Sequence, residues 1–186
     1  MAKTDISIVV PLYNEQENIS ILYQEIKQSV KTFNKTYEIV FVDDGSTDKS
    51  YQKLMQIHNS DKTVKIVRFR KNFGQTAAMS AGFREAKGKL IVSKDGDLQN
   101  DANDIPILLQ KLDEGYHVVS GWRYSRKDAF IGKKLPSKVS NFVARLLTGV
   151  KLHDFTCPLK AYTARALKSV TFYGDIHRYL PALIAP

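Results

Sequence analysis

Residues 37–50 read YEIVFVDDGSTDKS, which is an apolar, β-branched run, then a polar cluster, then the start of a helical pattern. This order is typical of a strand that leads into a helix, and it recurs along the first two thirds of the chain. Further strands are predicted at residues 6–10, 64–69, 90–93 and 117–120, and helices at residues 15–33, 48–58, 75–87 and 105–114. The strict alternation predicts an α/β fold with a mostly parallel, Rossmann-like sheet and helices on both faces.

The composition is that of an ordinary globular protein. Of its 186 residues, 43% are hydrophobic and 25% are charged, which excludes a disordered, collagen-like or disulfide-scaffold protein and fits a single domain. The lone Cys157 has no second cysteine with which to form a disulfide. We expect a cytoplasmic protein, because the sequence has neither a run of about 18 apolar residues nor a signal peptide.

Positive charge is concentrated in one block of the second half. The formal net charge is +9, and residues 116–151 hold eight basic residues against Asp128 as the one acidic residue. Within this block, residues 133–148 are predicted to form an amphipathic helix with a single apolar stripe. The block suits an anionic partner, such as a phosphate, an acidic membrane or a nucleic acid, but composition alone favours a solvated basic face. The apolar stripe is also compatible with packing against the sheet.

Polar clusters follow three of the predicted strands, at residues 11–15 (PLYNE), 43–46 (DDGS) and 94–99 (KDGDLQ). Ligands of open α/β sheets bind outside the carboxyl ends of the strands, so the three clusters are predicted to share a site. None of them is a glycine-rich phosphate-binding loop. A metal ion that bridges carboxylates to phosphates is therefore the expected way to hold a phosphorylated ligand.

Asp95 and Asp97 are the candidate metal ligands. Two carboxylates two residues apart at the end of a strand can point to the same side, and Gly96 between them lets a ligand approach the backbone. Gln99 adds an amide oxygen. Mg²⁺ and Mn²⁺ take such oxygen ligands, although aspartate and glycine at these positions also fit a simple turn.

The other two clusters allow two interpretations each. An aspartate of residues 43–46 can accept hydrogen bonds from a base or ribose, while Ser46 or Asp48 caps the following helix. Residues 11–15 offer an aromatic side chain and a carboxylate, either to a ligand or only to the loop itself.

Taken in order along the chain, these motifs resemble the family 2 glycosyltransferases of the GT-A fold. The motifs in the first half are residues 11–15, 43–46, 72–74 (NFG) and 95–99. The second half resembles the polyprenyl-phosphate branch of that family through residues 121–124 (GWRY), 134–138 (KLPSK), 154–157 (DFTC) and 177–179 (HRY). The resemblance covers nearly the whole chain.

This resemblance implies an inverting, metal-dependent transfer of a hexose from a UDP-sugar or GDP-sugar to a polyprenyl phosphate, for cell-envelope glycans. The residues implied in nucleotide binding are Pro11, Tyr13, Glu15, Asp43, Asp44, Asp95 and Gly96. Those implied as ligands of Mg²⁺ or Mn²⁺ are Asp95, Asp97 and Gln99. Those implied on the acceptor phosphate are Arg123, Lys133, Ser137, Lys138, His177 and Arg178. The implied catalytic residues are Asp154, Asp97 and Arg123, with Asp154 orienting the sugar first and acting as a base second.

The resemblance also implies an organisation. Residues 1–121 form the nucleotide-sugar-binding core, and residues 122–186 form the acceptor side of the same domain. Many bacterial relatives continue into a hydrophobic membrane hairpin where this sequence stops at Pro186. The chain is then a truncated form, a fragment or a shorter peripheral member. Because a lipid-phosphate acceptor lies at the cytoplasmic face of a bilayer, we expect a protein that is peripheral to the inner face of the cell membrane.

Several alternatives stay open at this point. The chain can be a family member with a different acceptor, or a truncated and inactive one. A phosphohydrolase with Asp95 as its nucleophile is a third alternative, although such a motif is expected after an early strand rather than the fourth. A nucleic-acid-binding domain is the fourth, against which the basic block lacks regular aromatic interleaving; no nucleic acid is expected as a partner.

Overall fold

The chain folds around one six-stranded sheet, seen in a computed structural model that describes residues 4–122, 154, 157–170 and 180–184. The strands are β1 (Ile6–Leu12), β2 (Tyr37–Asp43), β3 (Val64–Arg68), β4 (Leu90–Ser93), β5 (Val118–Ser120) and β6 (Lys160–Thr163). The helices are α1 (Ile19–Val30), α2 (Ser50–Ser60), α3 (Gln75–Glu85), α4 (Ile105–Asp113), α5 (Ala164–Lys168) and α6 (Leu180–Ile184), with a 3₁₀ turn at Ala102–Asp104.

The sheet is mostly parallel, as predicted. Its strand order is β3-β2-β1-β4-β6-β5, and β1 to β4 run in parallel. The central pair β1 and β2 is in register from Ile6 opposite Tyr37 to Leu12 opposite Asp43. Because these strands run in one direction, the loops that follow β1, β2, β3 and β4 emerge at the same edge of the sheet.

Helices cover both faces of the sheet, which confirms the second part of the fold prediction. Ile8 and Val10 of β1 belong to a buried cluster shared with α1, α2 and α4, whereas Val9 belongs to a cluster shared with α3, α5 and α6. Alternate residues of a strand point to opposite faces. All seven residues of β1 are buried, as expected of a central parallel strand covered on both sides.

Strand β6 was not predicted. It pairs antiparallel with both β4 and β5 and thereby carries a piece of the later part of the chain into the sheet. Its sequence, KAYT, lacks an apolar, β-branched run, so its local pattern is weak. Ala161 and Tyr162 are nevertheless fully buried, because neighbouring strands and helices surround them.

The predicted helix at residues 133–148 lies outside the described residues. Of the helices in the part of the chain that the structure describes, none has the length and apolarity that a membrane crossing requires.

Candidate functional site

An open cleft of about 250 Å³ lies at the edge of the sheet where the parallel strands end. Its walls come from the loops after β1, β2, β3 and β4 and from the first turns of α3. The lining residues are Pro11, Leu12, Tyr13, Glu15, Asp44, Asn72, Gly74, Gln75, Ala78, Asp95, Gly96 and Asp97. This is the position at which open α/β sheets bind their ligands.

The loops after β1 and β2 are joined by hydrogen bonds. The Ser46 hydroxyl accepts the N–H of Asn14 at 2.9 Å, and Asn14 Oδ1 accepts the N–H of Thr47 at 2.9 Å. Asn14 has a φ of 55°, which asparagine tolerates better than most residues. Asp48 Oδ1 accepts the N–H of Ser50, the first residue of α2, at 2.8 Å, while Lys49 occupies the N-cap position without a side-chain cap bond. Ser46 joins the two loops.

Asp44 fixes the loop that follows β3. Its carboxylate accepts the N–H groups of Phe73 and Gly74 at 2.7 and 2.9 Å. Gly45 has a φ of 72°, and a Cβ at this position would collide with the backbone of Lys71. Both its conformation and its close contact therefore require glycine, and the loop after β3 is held against the end of β2.

Asp43 lies beside this site and does not line it. Its side chain is fully buried; Oδ1 accepts the N–H of Ser46 at 2.9 Å, and Oδ2 lies 3.6 Å from Nε of Arg68. The Arg68 guanidinium in turn stacks 3.9 Å from the ring centroid of Tyr51. Of the two aspartates that end β2, only Asp44 reaches the cleft.

Asp95 and Asp97 follow β4, and both line the cleft. Asp95 Oδ1 accepts a hydrogen bond of 2.7 Å from Nε2 of Gln75. Burial first, and then the negative charge of Asp97, raise the pKa of Asp95 to about 6, while Gln75 and the buried Lys160 act in the opposite direction. Two carboxylates that repel each other in this way form an arrangement that a divalent cation stabilises.

The turn that carries the two aspartates lies close against β1. A Cβ on Gly96 would lie 3.2 Å from Cβ of Leu12, so glycine permits this approach. Asp97 Oδ1 accepts the N–H of Gln99 at 3.1 Å, and Leu98 between them has a φ of 58°, which is costly for leucine. The side chain of Gln99 is not part of the cleft lining.

The donor set of this turn fits a substrate-sharing cation. Among the described residues, no three or more His, Cys, Asp or Glu side chains are grouped for a metal ion, so the turn offers a pair of carboxylates. Mg²⁺ and Mn²⁺ are commonly held by one or two carboxylates and complete their shell with phosphate oxygens and water. A structural zinc ion, which needs four protein ligands, does not fit.

The structure brings most of the predicted nucleotide-binding residues into one cleft, together with the predicted metal ligand Asp97: Pro11, Tyr13, Glu15, Asp44, Asp95 and Gly96. Asp154 is buried, and its main-chain carbonyl accepts the Ser120 hydroxyl at 3.1 Å, away from the cleft lining. The predicted acceptor-side residues lie outside the described residues: Arg123, Lys133, Ser137, Lys138, His177 and Arg178. The functional role of every residue in these sets stays a prediction.

Several lining residues were missed as site residues. Asn72, Gly74, Gln75 and Ala78 form the wall that follows β3, and Gln75 directly contacts Asp95. The signal that identifies them is the one used for the other clusters, namely a polar segment after a predicted parallel strand.

The fold and this cleft define the class of protein. The glycosyl transferase family 2 profile matches residues 7–171, and the chain belongs to glycosyl transferase family 2. The GT-A architecture expected from the motifs is thereby confirmed.

Two relatives are more specific. The chain is 39% identical over 183 residues to a dodecaprenyl-phosphate galacturonate synthase of Rhizobium johnstonii, covering 97% of this chain and 54% of the relative. It is 35% identical to an undecaprenyl-phosphate 4-deoxy-4-formamido-L-arabinose transferase of Yersinia enterocolitica, covering 96% and 54%. The chain thus spans about half the length of the curated relatives that it matches.

Solved structures share the fold at low identity. Glucosyl-3-phosphoglycerate synthase of Mycobacterium tuberculosis, in complex with Mn²⁺ and UDP-glucose, superposes with a TM-score of 0.66 at 19% identity, covering 91% of this chain and 59% of that one. The mannosyltransferase PcManGT of Pyrobaculum calidifontis, in complex with GDP-Man and Mn²⁺, gives a TM-score of 0.66 at 19% identity, covering 100% and 53%.

Proposed function

We propose that this chain transfers a hexose from a nucleoside-diphosphate sugar to a polyprenyl phosphate, with inversion at the anomeric carbon and with a bound divalent metal ion. The observation that carries the proposal is the pair Asp95 and Asp97 in the cleft at the carboxyl edge of the sheet. The names of the two relatives support the acceptor class, since they specify dodecaprenyl and undecaprenyl phosphate. The two neighbours in fold were crystallised with Mn²⁺ and a nucleotide sugar, which supports the donor class.

On the donor side, Asp95 and Asp97 would hold the metal ion, and Gln99 of the same turn would be the third protein ligand. The ion supplies a Lewis acid that stabilises the charge of the leaving diphosphate. Gly96 leaves room for the diphosphate to approach the backbone. Tyr13, with 43% of its side chain exposed, offers an aromatic face to the nucleoside.

Asp44 has a double role in this proposal. A carboxylate has about four acceptor sites, and two of them are used by the N–H groups of Phe73 and Gly74. The remaining sites can accept hydrogen bonds from a base or ribose in the cleft. Asp44 would therefore shape one wall of the cleft and contact the nucleoside. Asp43 stays buried next to it and accepts the N–H of Ser46.

On the acceptor side, the attacking atom is an oxygen of the lipid phosphate. This oxygen forms a bond to the anomeric carbon as the bond between that carbon and the diphosphate breaks, and the nucleoside diphosphate leaves. Because the second pKa of a phosphate lies near 6, the nucleophile is mostly ionised at neutral pH, and a strong general base is not needed. The rate then depends mainly on how the two substrates are positioned. In this proposal, Arg123, Lys133 and Ser137 hold the phosphate, and Asp154 orients the sugar.

The basic block at residues 116–151 fits the location of such an acceptor. A polyprenyl phosphate presents its headgroup at a bilayer surface, and each Lys or Arg near an anionic surface adds about 1 kcal/mol of attraction. The proposal therefore places the protein at the inner face of the cell membrane during the reaction.

A transfer assay tests the proposal. Purified protein is incubated with a panel of UDP-sugars and GDP-sugars, undecaprenyl phosphate in detergent, and either Mn²⁺, Mg²⁺ or EDTA. Sugar is expected in the lipid fraction for one donor and only with a metal ion. Donor binding without transfer would indicate an inactive member, and release of phosphate from a phosphomonoester without any sugar nucleotide would indicate a hydrolase.

The acceptor half of the proposal has its own test. Arg123→Ala is expected to leave donor affinity unchanged and to reduce transfer to lipid phosphate by about 100-fold, because a charged contact to the phosphate is lost. Arg126→Ala removes the same charge three residues further along and is the matched control. Equal transfer rates for the Arg123 and Arg126 variants would contradict the assignment.

A further inference from the structure

Lys94, immediately before the acidic turn, is fully buried. Its Nζ donates a hydrogen bond of 2.7 Å to the main-chain carbonyl of Asn100. This bond links the end of β4 to a residue six positions later and therefore closes the whole segment that carries Asp95, Asp97 and Gln99. Burying an ammonium group costs free energy, so an apolar side chain would be the more stable choice if the position only filled space.

Carboxylates act electrostatically on the same ammonium group. Burial lowers the pKa of Lys94, and the negative charges of Glu25, Asp97 and Asp95 act against that effect. Glu25 Oε2, from α1, is buried and has no hydrogen-bond partner among the described residues. The Lys94 ammonium is thus attracted both by Glu25 of α1 and by the aspartates of the turn.

We propose that Lys94 is a positioning residue for the metal-binding turn, acting through its hydrogen bond to the Asn100 carbonyl. The bond holds the turn closed so that the carboxylates of Asp95 and Asp97 stay together at the cleft. Leu98 keeps its left-handed conformation in this turn, and such a conformation persists only where the surroundings hold it. This inference rests on the proposed function, since it assigns Lys94 a role in the metal-dependent binding of the donor.

A second buried lysine provides a control that distinguishes the positioning effect of Lys94 from the effect of its positive charge. Lys160 of β6 is 3% exposed and donates to the Cys157 carbonyl, outside the turn. Its positive charge acts more strongly on Asp95 than that of Lys94 does. If only the charge acting on Asp95 mattered, removing the Lys160 ammonium would change metal binding at least as much as removing that of Lys94.

The test compares Lys94→Met with Lys160→Met in the full chain. Both substitutions replace an ammonium-bearing side chain by an apolar one of similar length. Binding of UDP and GDP is measured by calorimetry with Mn²⁺ and with EDTA, after a thermal melt of each variant. Lys94→Met is expected to lose about tenfold or more of the Mn²⁺-dependent affinity, as outer-shell substitutions at metal sites do. Its affinity in EDTA should be unchanged, and Lys160→Met should lose distinctly less of the Mn²⁺-dependent affinity than Lys94→Met does.

Lys94→Gln covers the case in which the methionine variant does not fold. Its amide keeps a donor but ends one atom short of the ammonium position, so a smaller loss of Mn²⁺-dependent affinity is expected. Wild-type affinity in a folded Lys94 variant overturns the inference, and so do equal losses in the Lys94→Met and Lys160→Met variants. A wild-type protein whose affinity does not depend on Mn²⁺ overturns the proposed function, and this inference with it.

Discussion

Acidic side chains lie at both ends of the sheet, but their surroundings differ. Glu38 at the amino edge is neutralised by partners within the fold, whereas Asp95 at the carboxyl edge lies beside another carboxylate. At the amino edge, Glu38 of β2 is 4% exposed and fully engaged. It accepts hydrogen bonds of 2.6 Å from the Ser7 hydroxyl and from the N–H of Lys87, and it forms an ion pair with Lys65. Burial raises the pKa of Glu38, but these three partners outweigh burial and hold it below the usual value.

At the carboxyl edge, Asp95 lies near a second carboxylate, and no described residue forms a salt bridge with Asp95. Burial and the charge of Asp97 raise its pKa to about 6, and the hydrogen bond from Gln75 offsets only part of this. A buried charge satisfied within the fold serves stability, whereas one left facing a like charge in a cleft is typical of a functional site. The contrast thus separates the structural acid from the candidate ligand-binding acids within one sheet.

The largest effect is expected from Asp97→Ala. Asp97 is an exposed residue, so its removal should leave the melting temperature nearly unchanged. Loss of one of two carboxylate ligands should reduce Mn²⁺-dependent affinity for the nucleotide by about 100-fold or more, measured by calorimetry with and without Mn²⁺.

Asp113→Ala is the matched control for this variant. Asp113 has a side chain that is 60% exposed, and its ion pair with Lys35 lies on the protein surface. The same substitution there should change neither stability nor nucleotide binding measurably. Undiminished metal-dependent binding in Asp97→Ala would break the proposed distinction between the two edges of the sheet.

Glu38→Gln should produce the opposite profile. The variant loses the ion pair with Lys65 and presents an amide N–H₂ where a carboxylate oxygen accepted hydrogen bonds. We expect a loss of about 2 kcal/mol in the free energy of unfolding, the cost of an unsatisfied buried group, with Mn²⁺-dependent nucleotide affinity unchanged. Chemical denaturation and calorimetry measure the two quantities. A fall in nucleotide affinity with unchanged stability would mean that the amino edge is not purely structural.

Much of the fold follows from local sequence patterns. Strands β1 to β5 and helices α1 to α4 each show an apolar periodicity within a few residues of chain, and all were predicted. Strand β6 was not, because Lys160–Thr163 becomes a strand through its two neighbours in the sheet rather than through its own composition. Antiparallel insertion between β4 and β5 depends on strand pairs that are 40 or more residues apart in the chain, which periodicity does not reveal.

The residues of the site that could be predicted are those that directly follow parallel strands, where open α/β sheets bind their ligands. Asp44, Asp95 and Asp97 follow parallel strands, and all three line the cleft. The hydrogen bond from Gln75 to Asp95 joins residues 20 apart, and that from Lys94 to the Asn100 carbonyl depends on the path of the turn. Contacts of these kinds arise from tertiary structure, so residue type and spacing alone do not indicate them.

The two edges should also differ in pH dependence. Asp95 has a pKa of about 6 in the folded chain against 3.8 for the free side chain. A raised carboxyl pKa contributes stability that is fully present below about pH 4 and is lost as the pH rises through 6. The pKa of Glu38 is lowered. Its contribution to stability is therefore fully present at pH values above the ordinary glutamate pKa and is lost as the pH falls below that range.

Proton release on metal binding measures this difference. Because Asp95 is about half protonated at pH 6, binding of Mn²⁺ with a nucleoside-diphosphate sugar, whose phosphates are fully ionised at this pH, should release roughly half a proton there and almost none at pH 8. Calorimetry in two buffers with different heats of ionisation gives the number of protons. Asp95→Asn should abolish the release, and a release that persists in this variant would assign the raised pKa to another group.

The smallest effect is expected from Gln75→Ala, which removes one hydrogen bond from Asp95. Alanine is at least as good a helix former as glutamine, and Gln75 is exposed at the start of α3, so stability should not fall. Losing a donor to the ionised carboxylate should move the pKa of Asp95 further upward and weaken Mn²⁺-dependent nucleotide binding about fivefold, equivalent to about 1 kcal/mol.

Gln110→Ala, at an exposed position of α4, is the control for a glutamine lost from a helix surface. Because the hydrogen bond favours the ionised form, the Gln75 defect should shrink between pH 6 and pH 8. A defect of equal size at both pH values would mean that Gln75 contacts the nucleotide itself and does not act through Asp95.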